Sequence, residues 1–203
     1  MTNWLDRLLP SRAEDTPLSD AATLALQRWT ELPPADTGTA HFETRYVVVN
    51  TEASGMDPEK DHLLAVAALA VNGGLLDPQE SYYGRLAAHP GATLAELLKL
   101  TGKCPLVVFN AALNRTLLER ALDDHLGVEA DWLWIDLYFL LPALFPERID
   151  RPARLAAWME SFGIDTFQRH HALGDAWAIA QLFLAVQARA PKQGACSPRA
   201  LAD

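Results

Sequence analysis

The most regular apolar pattern lies late in the chain. Ala176, Ile179, Ala180, Phe183 and Leu184 recur at three- and four-residue steps and predict a helix with one buried stripe and Asp175 at its start. The run Tyr46-Val47-Val48-Val49, ending on Asn50, has the β-branched character of a buried strand, and Leu63 to Val71 predicts a second. Asn72-Gly73-Gly74 marks a tight turn, from which Ser81-Tyr82-Tyr83 returns as a third, antiparallel strand. Helical spacing follows at Leu94, Leu97 and Leu98, then a central strand at Leu106-Val107-Val108-Phe109, then a helix through Leu117, Leu118, Ala121 and Leu122. Trp132 to Ile135 reads as a last strand, Asp136 as the cap of a helix over Leu137 to Leu144, and Leu155 to Phe162 as a further helix. An antiparallel meander followed by alternating strands and helices predicts an α/β fold with helices packed on a mixed sheet.

The two ends read differently. Residues 1–40 hold an apolar stretch at Trp4, Leu5, Leu8 and Leu9, then a helix from its N-cap Ser19 to about Leu32, where Pro33 and Pro34 stop it. Ala35 to Ala40 reads as a linker into a domain over residues 41–190, and the aperiodic stretch Pro191 to Asp203 as a disordered tail. With 203 residues and 50% hydrophobic content, one core is expected. The net charge of −9 gives no general attraction to a polyanion, so nucleic acid, if bound, is expected at a local site. Cys104 and Cys196 sit in unlike contexts and form neither a disulfide framework nor a metal site. No apolar run is long enough for a membrane helix, and Asp6 and Arg7 interrupt the start, so the expectation is a cytoplasmic chain with no membrane partner.

Three segments carry candidate chemistry. They are Asn50-Thr51-Glu52-Ala53-Ser54-Gly55-Met56, Phe109-Asn110-Ala111-Ala112-Leu113-Asn114, and His170-His171-Ala172-Leu173-Gly174-Asp175. Residues two apart in a strand share a face, so Asn50 and Glu52 project together at the strand end. Asp175 is held at a helix start, and the five-residue step places His170 on the preceding loop, free to move. In order and setting the segments resemble the DEDDh 3′-to-5′ exonucleases, whose ribonuclease H-like fold carries Asp-x-Glu on a first strand, a phrase close to His-Asn-Ala-x-Phe-Asp after a central strand, and His-x-x-x-x-Asp at the last helix. The resemblance covers residues 45–188 and implies a five-stranded mixed sheet, a centre of two Mg²⁺ or Mn²⁺ ions held by four carboxylates, and a mobile histidine that takes a proton from the attacking water.

On that resemblance, Glu52 and Asp175 are the surviving acidic metal ligands and His170 the base, while Asn50 and Asn114 stand where the family has Asp. Ser54, Gly55 and Met56 fall on the nucleotide-binding turn, with Met56 abutting a terminal base or filling a core edge. Phe109 replaces the family's His, Leu113 its Phe and Ala53 a hydroxyl residue, and the stretch from Tyr83 to Leu94 is short for a substrate loop. These extra changes favour natural drift over deliberate replacement of Asp by Asn. An amide oxygen brings a dipole in place of a full charge, so one weakly held ion or none is expected. Three functions stay open: a domain binding a nucleotide or single-stranded nucleic-acid 3′ end with weakened or lost hydrolysis, a working metal-dependent exonuclease, and a scaffold for a protein partner. Beside the site, Asp136 reads as a helix cap rather than a ligand, and Asp57 and Asp61 as solvated turn residues. His171 reads as a competitor for the base role that spacing to Asp175 disfavours against His170, and otherwise as a packing or exposed neighbour; Trp132 and Trp134 read as packing residues.

Overall fold

The computed structural model describes residues 18–202; the apolar stretch around Trp4 lies outside them. Five strands form one sheet in the order β3-β2-β1-β4-β5. The strands β1 (Arg45–Ala53), β2 (Leu63–Asn72) and β3 (Leu75–Arg85) pair antiparallel as a meander, and the short strands β4 (Leu106–Val108) and β5 (Trp134–Asp136) extend it in parallel from β1. This is the expected α/β architecture. Gly73 and Gly74, at φ 58° and 75°, supply the left-handed turn between β2 and β3 that residues with a Cβ adopt at a cost.

Alternation along β1 divides the interior into two cores. Tyr46 and Val48 face one side, where they pack with α4 (Leu137–Leu144), α5 (Leu155–Phe162) and α6 (Ala172–Arg189). Val47 and Val49 face the other, against α2 (Pro90–Thr101) and α3 (Ala111–Leu126). The helix α1 (Asp20–Thr30), capped by Ser19 Oγ, which accepts from Ala22 N at 3.2 Å, joins this second core through the buried Trp29. The Trp29 and Trp132 indole N–H groups both donate to Gly102 O, at 2.8 and 2.9 Å, so α1 is fastened to the end of α2.

Two expectations are corrected. The strand read over Trp132 to Ile135 begins only at Trp134, where pairing with β4 starts opposite Leu106, and runs to Asp136. The tail read as disordered is ordered through Ala202: a 3₁₀ turn at Ala190–Gln193 leads to α7 (Pro198–Ala202), whose Leu201 is buried in the first core. Long-range polar contacts hold it. Arg199 N donates to Thr37 O at 3.0 Å, and the buried His41 lies 2.9 Å from Ala195 O through Nε2 and 2.6 Å from the Tyr46 hydroxyl through Nδ1. Ala195 O can only accept, so Nε2 carries the proton and Nδ1 accepts from Tyr46. The stretch read as a linker is thereby joined to the tail beneath β1.

Candidate active site

β1 ends in a bulge between Glu52 and Ala53, which re-aims the strand as it leaves the sheet. Asn50 and Glu52 lie on the α6 side and meet the first turn of that helix. Glu52 Oε1 accepts from Ala172 N at 2.7 Å, so this carboxylate occupies the partial positive charge at the α6 N-terminus. The Asn50 amide donates to Ala172 O at a long 3.4 Å. Glu52 and His170 are also close enough to Asp175 to shift its carboxyl electrostatically. The strand end and the α6 start thus gather Asn50, Glu52, His170 and Asp175.

Asn114 is placed differently. Thr51, between Asn50 and Glu52, alternates to the α3 side, and its hydroxyl donates to Asn114 Oδ1 at 2.9 Å. Asn114 Nδ2 donates to Phe109 O at 3.0 Å and to Asn110 O at 2.9 Å, and the residue is 4% exposed. Backbone carbonyls only accept, so the amide orientation is set by chemistry. A carboxylate could not make these two bonds. Asn114 therefore closes the first turn of α3, whose start is reached through Asn110 in the left-handed region at φ 71°.

Asp136 is a cap, as expected, and serves two helices. Its carboxylate accepts from Tyr138 N at 2.9 Å at the head of α4, and from Asn110 N and Ala111 N at 2.9 and 2.8 Å at the head of α3. Phe109 packs its edge on Tyr138, with ring centroids 5.8 Å apart.

Asp175 lies in the first turn of α6 with its side chain 14% exposed, and its Oδ1 pairs with Arg169 Nη1 at 2.6 Å. Burial pushes its carboxyl above the usual range; Arg169, and then His170, oppose the rise without cancelling it. A raised carboxyl favours the fold in its protonated form, and that contribution is lost as pH rises through the folded-state titration. Arg169→Ala removes the main opposing charge. The expected result is a stability loss at neutral pH that shrinks as pH falls through the Asp175 titration, read from urea midpoints across pH; a pH-independent loss would contradict it.

The loop before α6 was expected to leave His170 free to move, but it is fastened on both sides of that residue. Thr166 Oγ1 donates to Gly174 O at 2.7 Å, Arg169 holds Asp175, and His171 caps α6, its Nδ1 accepting from Leu173 N at 3.3 Å and its ring 4.5 Å from Tyr83. His170 is exposed, with a left-handed backbone at φ 59°. Arg169 and Gly174 are site residues that motif spacing did not single out. The only signal was position, one directly before His170 and one directly before Asp175.

The turn carrying Ser54, Gly55 and Met56 is ordered by Asp61, which accepts from Ser54 Oγ at 2.8 Å and from Asp57 N at 2.9 Å. Those bonds, the Asp57 N–H first, hold the Asp61 carboxyl below its ordinary value, so it organises the turn as well as meeting solvent. The Arg120 guanidinium on α3 donates to the carbonyls of Pro58, Glu59 and Asp61, tying the turn to the domain. Met56, 77% exposed, stands out from it and fills no core edge.

Among the described residues no three His, Cys, Asp or Glu side chains converge to hold a metal ion. The donor set gives the reason: Glu52 is engaged by a helix N-terminus, Asp175 by Arg169, and the Asn114 amide by two carbonyls and Thr51. A two-ion centre does not fit these residues as arranged. Among the described residues, too, no helix is long and apolar enough to cross a membrane.

No family model matches the chain. It is 28% identical over 169 residues to the DNA polymerase III subunit epsilon of Aquifex aeolicus, covering 79% of that protein, and 24% identical over 163 residues to the PolC-type DNA polymerase III of Thermotoga maritima, of which it spans 12%. Among solved structures, Escherichia coli exonuclease I in complex with a dT13 oligonucleotide matches 75% of this chain and 43% of its own at a TM-score of 0.53 and 16% identity. Exonuclease X in complex with 5′-overhanging duplex DNA matches 78% of this chain and 98% of its own at 0.56 and 17% identity. Such structural likeness establishes the fold, and the sequence relatives are DNA polymerase III proteins. The chain has the fold of these exonucleases and is similar in sequence to DNA polymerase III epsilon and PolC-type proteins, in keeping with its resemblance to the DEDDh 3′-to-5′ exonuclease family.

Proposed function

We propose that this chain is an exonuclease-family domain that binds a nucleotide or a nucleic-acid 3′ end while its hydrolytic step is weakened or lost. The observation that carries the reading is the Asn114 amide, which donates to two main-chain carbonyls at a position where the family resemblance calls for a metal-binding carboxylate. Together with Asn50 it leaves Glu52 and Asp175 as the acidic pair, half the negative charge that two divalent ions require. Removing about 4 kcal/mol of transition-state stabilisation slows a reaction roughly a thousandfold.

The binding side of the proposal rests on the Ser54-Gly55-Met56 turn. Asp61 and Arg120 hold it in place, and Met56 offers an apolar surface on which a base can rest. With a net charge of −9, contact is expected to be local and short. The test is titration with thymidine 5′-monophosphate and with a short oligothymidylate, for the natural chain and Met56→Ala. Saturable binding that weakens in the variant is expected. No saturable binding to either ligand would overturn the proposal and favour the scaffold reading.

A further inference from the structure

The counter-charge for the two surviving carboxylates is supplied within the chain. Arg169 Nη1 lies 2.6 Å from Asp175 Oδ1 and 3.1 Å from Met159 Sδ, with its side chain 33% exposed. Glu52 takes the Ala172 N–H at the α6 start. The loop presenting Arg169 lies so close on α6 that a Cβ at Gly174 would fall 1.9 Å from Gln168 O, and Thr166 fastens it to Gly174 O. The guanidinium is held beside Asp175 by backbone geometry as well as by charge. Arginine keeps its proton at any relevant pH, so this cation is permanent.

We propose that Arg169 is the resident cation of this site and excludes divalent metal from Glu52 and Asp175. To coordinate Asp175, a metal ion must either displace the charge-assisted bond at Oδ1 or bind Oδ2 with the guanidinium, a like charge on a fastened loop, beside it. Among the described residues Nε and Nη2 of Arg169 make no hydrogen bond, so an edge of the guanidinium is open to a phosphate oxygen. That second role rests on the nucleotide-binding proposal; the exclusion of metal does not.

The experiment is a Mn²⁺ titration followed by electron paramagnetic resonance and by paramagnetic broadening of backbone amides, for the natural chain, Arg169→Gln and Arg169→Lys. The natural chain is expected to show no saturable Mn²⁺ binding and no selective broadening at Gly174, Asp175 and Ala176. Arg169→Gln is expected to bind at least tenfold more tightly, and Arg169→Lys, which keeps the charge, to behave as the natural chain. Saturable Mn²⁺ binding centred on Asp175 in the natural chain, or no gain in a folded Arg169→Gln, overturns the proposal; should that variant not fold, the natural-chain measurement decides alone. With thymidine 5′-monophosphate and excess chelator, the natural chain is expected to bind as well as with Mn²⁺, and Arg169→Gln at least tenfold more weakly. Binding that requires Mn²⁺ overturns the resident-cation role. Absence of nucleotide binding in every buffer overturns the phosphate role and the nucleotide-binding proposal, and the Mn²⁺ titration still decides the cation.

Discussion

Asn114→Asp lowers the stability of the fold at neutral pH by about 3 kcal/mol, although it restores the residue that the family resemblance calls for. The 4% exposed side chain now donates from Nδ2 to Phe109 O and Asn110 O, and a carboxylate would face both carbonyls with no proton to offer. Only the bond from Thr51 would survive. Protonation would return one donor, so the folded-state pKa of the new Asp should stand above its unfolded value of about 3.9. The sign follows: stability is best retained below that unfolded value and falls as pH rises through the raised folded value. Urea unfolding at pH 7 and near pH 4 checks this, with a larger loss expected at pH 7. Equal stability of variant and natural chain at pH 7 would show that Asn114 does not hold the α3 start.

Gly174→Ala is expected to cost about 2 to 3 kcal/mol, against helix propensity, which by itself favours Ala over Gly by about 1 kcal/mol. The added Cβ would meet Gln168 O at 1.9 Å and Gln168 C at 2.9 Å, and both are main-chain atoms that cannot swing aside. The loop must lift, breaking the Thr166 to Gly174 bond of 2.7 Å and drawing Arg169 away from Asp175. A lower thermal midpoint with faster proteolysis between Phe162 and His170 is the expected outcome. An increase in stability would mean that the loop does not lie on α6 as described.

The fold was legible where burial imposes a short period. The continuous β-branched run of β1 and the stripe of α6 follow from side chains that can be covered only one way, and the Asn72-Gly73-Gly74 turn sets the meander. The tail was not legible, because Pro198 and Leu201 are too few for a period and the segment is held through Arg199 N and Ala195 O by Thr37 and His41, far away in sequence. Within the site, strand alternation placed Asn50 and Glu52 on one face, and the same rule sends Thr51 to Asn114. Spacing could not reveal the Arg169 pair with Asp175, since a guanidinium reaches its partner through a loop of no regular repeat. Nor could it show that Asn114 donates to two carbonyls, which depends on the left-handed turn at Asn110.

The most direct test of weakened hydrolysis is a single-stranded DNA and RNA digestion by the natural chain and by His170→Ala, with Mg²⁺ and with Mn²⁺. The account predicts that the natural chain releases mononucleotides no faster than a slow, unsustained trace above His170→Ala under any of these conditions. Sustained 3′-to-5′ release by the natural chain that disappears in His170→Ala would contradict it.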